Sequence, residues 1–185
     1  MALRVIAGAF GGRRLVAPQD DARPSTDRLK EALFASLGPD RVAGAVVLDL
    51  YAGSGALAIE ALSRGAERAV LVDHSAAAEV AIRANLRALA LEDVGRFDRA
   101  AVSRFLARPI PEAPFGLVLL DPPYGTPASE VGAVLALLAA RAVVAPGATV
   151  VIERPRTGEP APVPDGWQIE KERPYGDTLL VVVIA

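Results

Sequence analysis

From residue 46 onward, apolar strand-like runs alternate with helix-like segments joined by links of only a few residues, and that order leaves few folds open. A strand, a helical crossover and a second strand bring the chain back to the same end of a sheet, so the strands pair in parallel with helices covering both faces. VVLDLY at 46–51, AVLVDH at 69–74, LVLLD at 117–121 and the run at 148–153 predict strands, with a weaker one at 96–101. Helices are predicted at 56–64, 76–89 and 131–142, and Pro146–Gly147 reads as the turn before the 148–153 strand. Residues 154–166 hold too many Pro and Gly for a helix and read as a loop. Two further runs, 167–173 and 178–184, are separated only by Pro174, Tyr175, Gly176 and Asp177, which is hairpin spacing. The expectation is an α/β fold: a mostly parallel sheet that closes with a carboxy-terminal antiparallel hairpin.

Upstream of this alternation the pattern differs. Residues 4–16 alternate loosely around Gly8 and Gly11–Gly12, as a β-hairpin would, with Arg13 and Arg14 beside the turn. In STDRLKEALFASL, Ser25, Thr26 or Asp27 can cap a helix that carries Leu29, Leu33, Phe34 and Leu37 on one face. We read residues 1–41 as an amino-terminal hairpin and helix arm packed on a core of residues 42–185, the two forming one structural unit. At 185 residues and 52 % hydrophobic content, one domain with a substantial core is expected.

Charge and side-chain inventory narrow the chemistry. Net charge is −2, so the whole molecule does not advertise an acidic partner, but residues 1–30 hold six basic groups against three acids. There is no Cys and a single His, which disfavours structural zinc and thiol chemistry and removes pyrimidine C5 methylation, a reaction that needs a Cys nucleophile. No uncharged run of the second half, 131–140 included, comes near the roughly 18 residues of a membrane span. No basic segment followed by an apolar stretch opens the chain, so a cytoplasmic location is expected, without membrane or metal.

Two strings carry the function. In DLYAGSG, Asp49 stands four residues before Gly53-Ser54-Gly55 at the end of a predicted strand, where open α/β sheets bind ligands. Tyr51, Ala52, Gly53, Ser54 and Gly55 form the turn against the ligand, and Asp73, twenty residues beyond Gly53, is placed to accept two ribose hydroxyls. His74 beside it reads as an adenine-edge or surface neighbour. A tight turn without a ligand is the plain alternative for Gly53 and Gly55, and a cap of the following helix for Asp49. A dinucleotide turn presents helix amides to pyrophosphate, and a carboxylate at Asp49 would repel it. S-adenosyl-L-methionine, with an ammonium and a sulfonium, suits an acid there.

The second string, DPPY at residues 121–124, ends another strand about seventy residues on. An exocyclic amine on a purine is a poor nucleophile because its lone pair is delocalised into the ring. Acceptors for its N–H groups favour a pyramidal nitrogen and absorb developing positive charge. Asp121 offers a carboxylate and Pro122 a carbonyl, Pro123 stiffens the turn, and Tyr124 supplies a stacking face. A rigid strand-end turn is the plain alternative.

These strings, with RVIAGAFGGRRL at the start, RPSTDRLKEALF at 23–34 and YGDTLL at 175–180, resemble the RsmD-like family of small-subunit ribosomal RNA guanine-N2 methyltransferases, over nearly the whole chain. The resemblance implies a Rossmann-like class I methyltransferase fold, S-adenosyl-L-methionine as cofactor, and methylation of a guanine 2-amino group in small-subunit ribosomal RNA or an assembling small subunit. It also implies a cofactor contact from Thr26. Arg4, Arg13, Arg14, Arg23 and Arg28 are then the expected RNA contacts. After the third strand, Ala100–Ala101 stand where many relatives have Asp or Asn beside the adenine. An adenine-N6 methyltransferase acting on RNA or DNA, an NAD-dependent oxidoreductase and an idle nucleic-acid-binding module are the competing readings.

Overall fold

The computed structural model describes residues 3–18, 27–160 and 162–185. Its centre is one seven-stranded sheet built from β1 (Val46–Leu50), β2 (Arg68–Asp73), β3 (Gly95–Arg99), β4 (Phe115–Leu120), β5 (Val144–Pro155), β6 (Gln168–Tyr175) and β7 (Thr178–Ile184). The strand order is β3-β2-β1-β4-β5-β7-β6. β1 pairs in parallel with β2 and β4, β2 with β3 and β4 with β5, while β7 runs antiparallel between β5 and β6. This is the Rossmann-like, mostly parallel sheet with an antiparallel closing hairpin that the alternation implies.

Side-chain alternation along the strands explains the two layers. Val47, Leu71, Leu117, Leu119 and Val151 share one face and pack with Leu33 and Phe34 of α1 (Asp27–Leu37), Ile59 of α2 (Ala56–Ser63) and Ile82 of α3 (Ala76–Ala88). Their neighbours Leu48, Leu50, Val70, Val118, Leu120 and Ile152 point the other way, onto α4 (Val102–Leu106) and α5 (Ala128–Ala140).

Several sequence boundaries move. The third strand is Gly95–Arg99 rather than 96–101, because residues 102–106 form α4, which the sequence reading did not contain. Val102, Phe105 and Leu106 are its buried face, but five residues give too short a helical period to recognise. Pro146–Gly147 is no turn before a strand. β5 already pairs at Val144 with Phe115 and resumes at Thr149 opposite Leu117, so residues 145–148, Pro146–Gly147 among them, bulge within the strand opposite Gly116. The closing turn is likewise shorter: Tyr175 pairs with Thr178 and Pro174 with Leu179, leaving Gly176–Asp177 as a two-residue loop. Pro174 is accommodated because β6 is an edge strand and has no further neighbour to receive its missing N–H. Arg154 and Pro155 belong to β5, not to the loop.

The amino-terminal ribbon is antiparallel, with Val5 N–H donating to the Arg13 carbonyl at 2.9 Å and Leu15 N–H to Leu3 at 2.9 Å. It is held to the core by polar groups on α2. Glu60, wholly buried, accepts from Ile6 N at 2.7 Å, Ala7 N at 3.1 Å and Arg64 Nε at 2.7 Å. Phe10 N donates to Ser63 Oγ at 3.0 Å, and Gly8 lies so close to the end of α2 that a Cβ there would sit 1.9 Å from the Ser63 carbonyl oxygen. Leu29, Leu33, Phe34 and Leu37 are buried as their spacing predicts, and so is Lys30, which donates to the Arg4 carbonyl and lies 3.6 Å from Asp27. Ser25 and Thr26 lie outside the described residues.

Removing the Glu60 carboxylate would leave two part-buried amides unpaired. Glu60→Ala is therefore expected to lower stability by about 2–4 kcal/mol in chemical denaturation, with Glu60→Gln intermediate. A loss below about 0.5 kcal/mol, the range of an ordinary surface substitution, would remove Glu60 as the anchor of the ribbon.

Candidate active site

Parallel pairing brings the carboxyl ends of β1, β2, β4 and β5 to one edge of the sheet, where a cleft of about 630 Å³ opens. Asp49, Tyr51, Ala52, Gly53, Ser54, Asp73, His74, Asp121, Pro122, Pro123 and Tyr124 all line it. The two strings separated by about seventy residues in sequence thus form one site, as adjacent strands β1 and β4 dictate.

The turn after β1 is tightly wound. Tyr51, Gly53 and Gly55 have φ of 64°, 54° and 76°. Gly55 does not line the cleft. It caps α2, and a Cβ there would lie 2.8 Å from Leu71 Cδ2, so its part in the site is to let the turn close against the sheet. Asp73 braces the same turn, accepting from Gly53 N at 2.9 Å through one oxygen and from Ser75 N at 2.8 Å through the other. Each of these oxygens retains a lone pair for a hydroxyl donor. Asn85 of α3 donates to the Ser54 carbonyl at 2.9 Å and to the Val16 carbonyl at 2.9 Å, tying turn and ribbon together.

Asp49 caps the following helix through one oxygen only. Oδ2 accepts from Ala58 N in the first turn of α2 at 3.1 Å, as a cap does, while Oδ1 is buried without a partner. Burial, with smaller contributions from the Asp121 and Asp73 charges, pushes its pKa up to about 8. An ionised carboxylate is costly there until a cation arrives.

On the far side of the cleft, Pro122 is buried, Asp121 half-buried and Tyr124 exposed. Thr126 N donates to the Pro123 carbonyl at 2.8 Å and closes the turn. Glu153 and Arg154 at the end of β5, and Thr178 at the start of β7, also line the cleft and were not foreseen. The signal for Glu153 was present: VVIE ends an apolar run in an acid, as VVLD, LVD and LVLLD do. Thr178 is the Thr of the YGDT string.

Among the described residues, none of the arginines expected to contact RNA lines the cleft. Arg4 pairs with Asp27 at 2.8 Å, Arg13 donates to the Ala88 carbonyl at 3.3 Å, and Arg14 and Arg28 are exposed. Pro18 carries the ribbon to the cleft wall, while Arg23 and Thr26 lie outside the described residues. Ala100 commits its N–H to the Asp73 carbonyl at 3.0 Å, and neither it nor Ala101 lines the cleft. Among the described residues no helix is long and apolar enough to cross a membrane.

Comparison with known proteins agrees with this geometry. The family described as "Conserved hypothetical protein 95" matches residues 3–184. The "Ribosomal RNA small subunit methyltransferase D" of Escherichia coli K12 is 34 % identical over 175 residues, covering 94 % of this chain and 85 % of that protein. The "Putative rRNA methyltransferase YlbH" of Bacillus subtilis is 42 % identical over 124 residues, 66 % of this chain and 67 % of its own. Among solved structures, "Putative methyltransferase yhhF from Escherichia coli" superposes with a TM-score of 0.86 at 31 % identity, covering 100 % of this chain and 98 % of that one. The chain has the fold of the class I methyltransferases and belongs to the family of the ribosomal RNA small subunit methyltransferase D proteins.

Proposed function

We propose that this protein uses S-adenosyl-L-methionine to methylate ribosomal RNA, at the exocyclic 2-amino group of a guanine in the small-subunit RNA. The juncture of the DLYAGSG turn and DPPY in one cleft carries the reading, and the methyltransferase relatives support the substrate class. The cofactor supplies a methyl group already activated on a sulfonium. Asp49, with its orphaned buried oxygen, takes the methionine ammonium, and Asp73 takes the ribose hydroxyls. Tyr51, Ala52, Gly53 and Ser54 line the ligand, with His74 at its adenine end. Asp121 and the Pro122 carbonyl accept the two N–H groups of the target amine, and the Asp121 carboxylate receives the proton that nitrogen loses. Tyr124 offers its exposed ring for stacking, which requires an unstacked base and favours a loop in folded RNA.

The decisive test is to map the methylated nucleotide after incubation with small subunits lacking modification. N2-methylguanosine is expected, whereas N6-methyladenosine would move the substrate to adenine. Asp121→Ala should cut the single-turnover rate by about a hundredfold or more while leaving S-adenosylhomocysteine affinity nearly unchanged. A near-normal rate would remove Asp121 from the chemistry.

The raised pKa of Asp49 has two measurable consequences. In the cofactor-free protein the folded state prefers the protonated carboxyl, so stability is highest below the ordinary value of 3.8 and falls as pH rises toward about 8. Asp49→Asn should therefore be more stable than the parent at pH 8 and close to it at pH 4. Cofactor binding near neutral pH should release a proton from Asp49, read by calorimetry in buffers of different ionisation enthalpy and absent in Asp49→Asn. Equal proton release by both proteins would overturn the assignment.

Arg4, Arg13, Arg14, Arg23 and Arg28 supply the phosphate contacts, with the ribbon around Arg13 and Arg14 as the principal docking surface. Replacing both with Ala should leave cofactor binding intact while sharply lowering methylation of small-subunit particles and its salt dependence. Equal methylation by variant and parent at moderate salt would make them solvated side chains only.

A further inference from the structure

The cleft holds two orphaned polar atoms that the chemistry above does not use, both at the end of β5. Glu153 Oε2 is buried without a hydrogen-bond partner, and so is Nη1 of Arg154, a residue only 8 % exposed. Both residues line the cleft, but successive strand residues point to opposite faces and Arg154 Nη2 donates to the Glu159 carbonyl at 3.1 Å, so Glu153 is the group left to meet a ligand on the face that carries the other acids.

The position of Glu153 selects the part of the ligand concerned. β4 and β5 pair in parallel with Leu120 opposite Ile152, so Asp121 and Glu153 follow as neighbours on adjacent strand ends. By alternation they share the sheet face of Leu119 and Val151. The cofactor turn lies on β1 and β2, on the other side of β4. Glu153 therefore flanks the amine-binding end of the cleft. Burial and the adjacent Asp121 charge push its pKa up to about 8, a cost that an N–H donor would relieve.

Resting on the guanine-N2 reading above, we propose that Glu153 recognises the target base, its carboxylate accepting the N1–H of guanine. Guanine presents its amine and N1–H donors side by side, and the adjacent strand ends offer Asp121 and Glu153 in the same order. Adenine would place an unprotonated N1 against Glu153, and above about pH 8, where that carboxyl is ionised, two acceptors would face each other in a buried site. Glu153 would thus disfavour adenine there, which DPPY alone does not.

The test uses small subunits reconstituted with the target guanosine, once mapped, replaced by 2-aminopurine riboside. That base keeps the 2-amino group but lacks N1–H and O6. With the wild-type protein at about pH 9, where Glu153 is ionised, single-turnover methylation should fall by about a hundredfold or more on 2-aminopurine, since buried polar groups are left unpaired. Glu153→Gln should be slow on guanine, but its penalty for 2-aminopurine should shrink to within about tenfold, because the Gln amide can donate to an unprotonated N1. S-adenosylhomocysteine calorimetry checks that this variant is folded. Equal wild-type rates on the two bases would overturn the inference, and so would an undiminished penalty in Glu153→Gln. Should the variant not fold, the wild-type comparison is repeated at about pH 6, where a protonated Glu153 can donate to N1 and the 2-aminopurine penalty should shrink; an unchanged penalty would overturn the inference. Failure of the guanine-N2 reading is distinct, since the mapped product would then not be N2-methylguanosine.

Discussion

Parallel pairing is the constraint from which the rest of this molecule follows. Because β1, β2, β4 and β5 run the same way, their carboxyl ends meet at one edge, and each brings an acid: Asp49, Asp73, Asp121 and Glu153. By alternation all four share the face that carries Leu71, Leu119 and Val151, so they converge instead of dividing between the two faces. Burial, and secondarily the neighbouring carboxylates, push Asp49 and Glu153 up to about 8. The cleft is thus poised for a ligand bearing positive charge and N–H donors. That requirement is met by an ammonium and sulfonium on one side and a purine amine on the other.

Polar groups buried in the helices keep this edge in shape. Glu60 and Ser63 of α2 hold the amino-terminal ribbon, and Asn85 of α3 bonds to both that ribbon and the turn after β1. The ribbon therefore belongs to the scaffold of the cofactor turn as well as to the surface that carries Arg13 and Arg14. An acidic cleft repels phosphate at short range, so positive groups useful for RNA docking belong outside it, where the exposed arginines of the ribbon stand.

Much of this could be read along the chain. Strand and helix alternation marks four of the five parallel strands clearly and the closing hairpin in kind, because apolar runs and helical periods are local signals. DLYAGSG and DPPY name ten of the residues that line the cleft or close its turn, since tight turns and strand-end acids have short-range signatures. The misplacements are equally physical. α4 is too short to show a period, the Pro146–Gly147 bulge looks like a turn when pairing with Phe115 is unseen, and Pro174 sits in a strand because that strand is an edge.

What the sequence by itself determined is the kind of element at each place and the chemistry of two strings, because these depend on neighbours within a few residues. Only the tertiary structure decided that the acid ending VVIE stands beside Asp121, that Asp49 is half satisfied by Ala58 and half unpartnered, and that a Glu on α2 anchors a ribbon more than fifty residues earlier. Those facts arise from strand order and register. They join residues far apart in the chain, through pairings that no local pattern encodes.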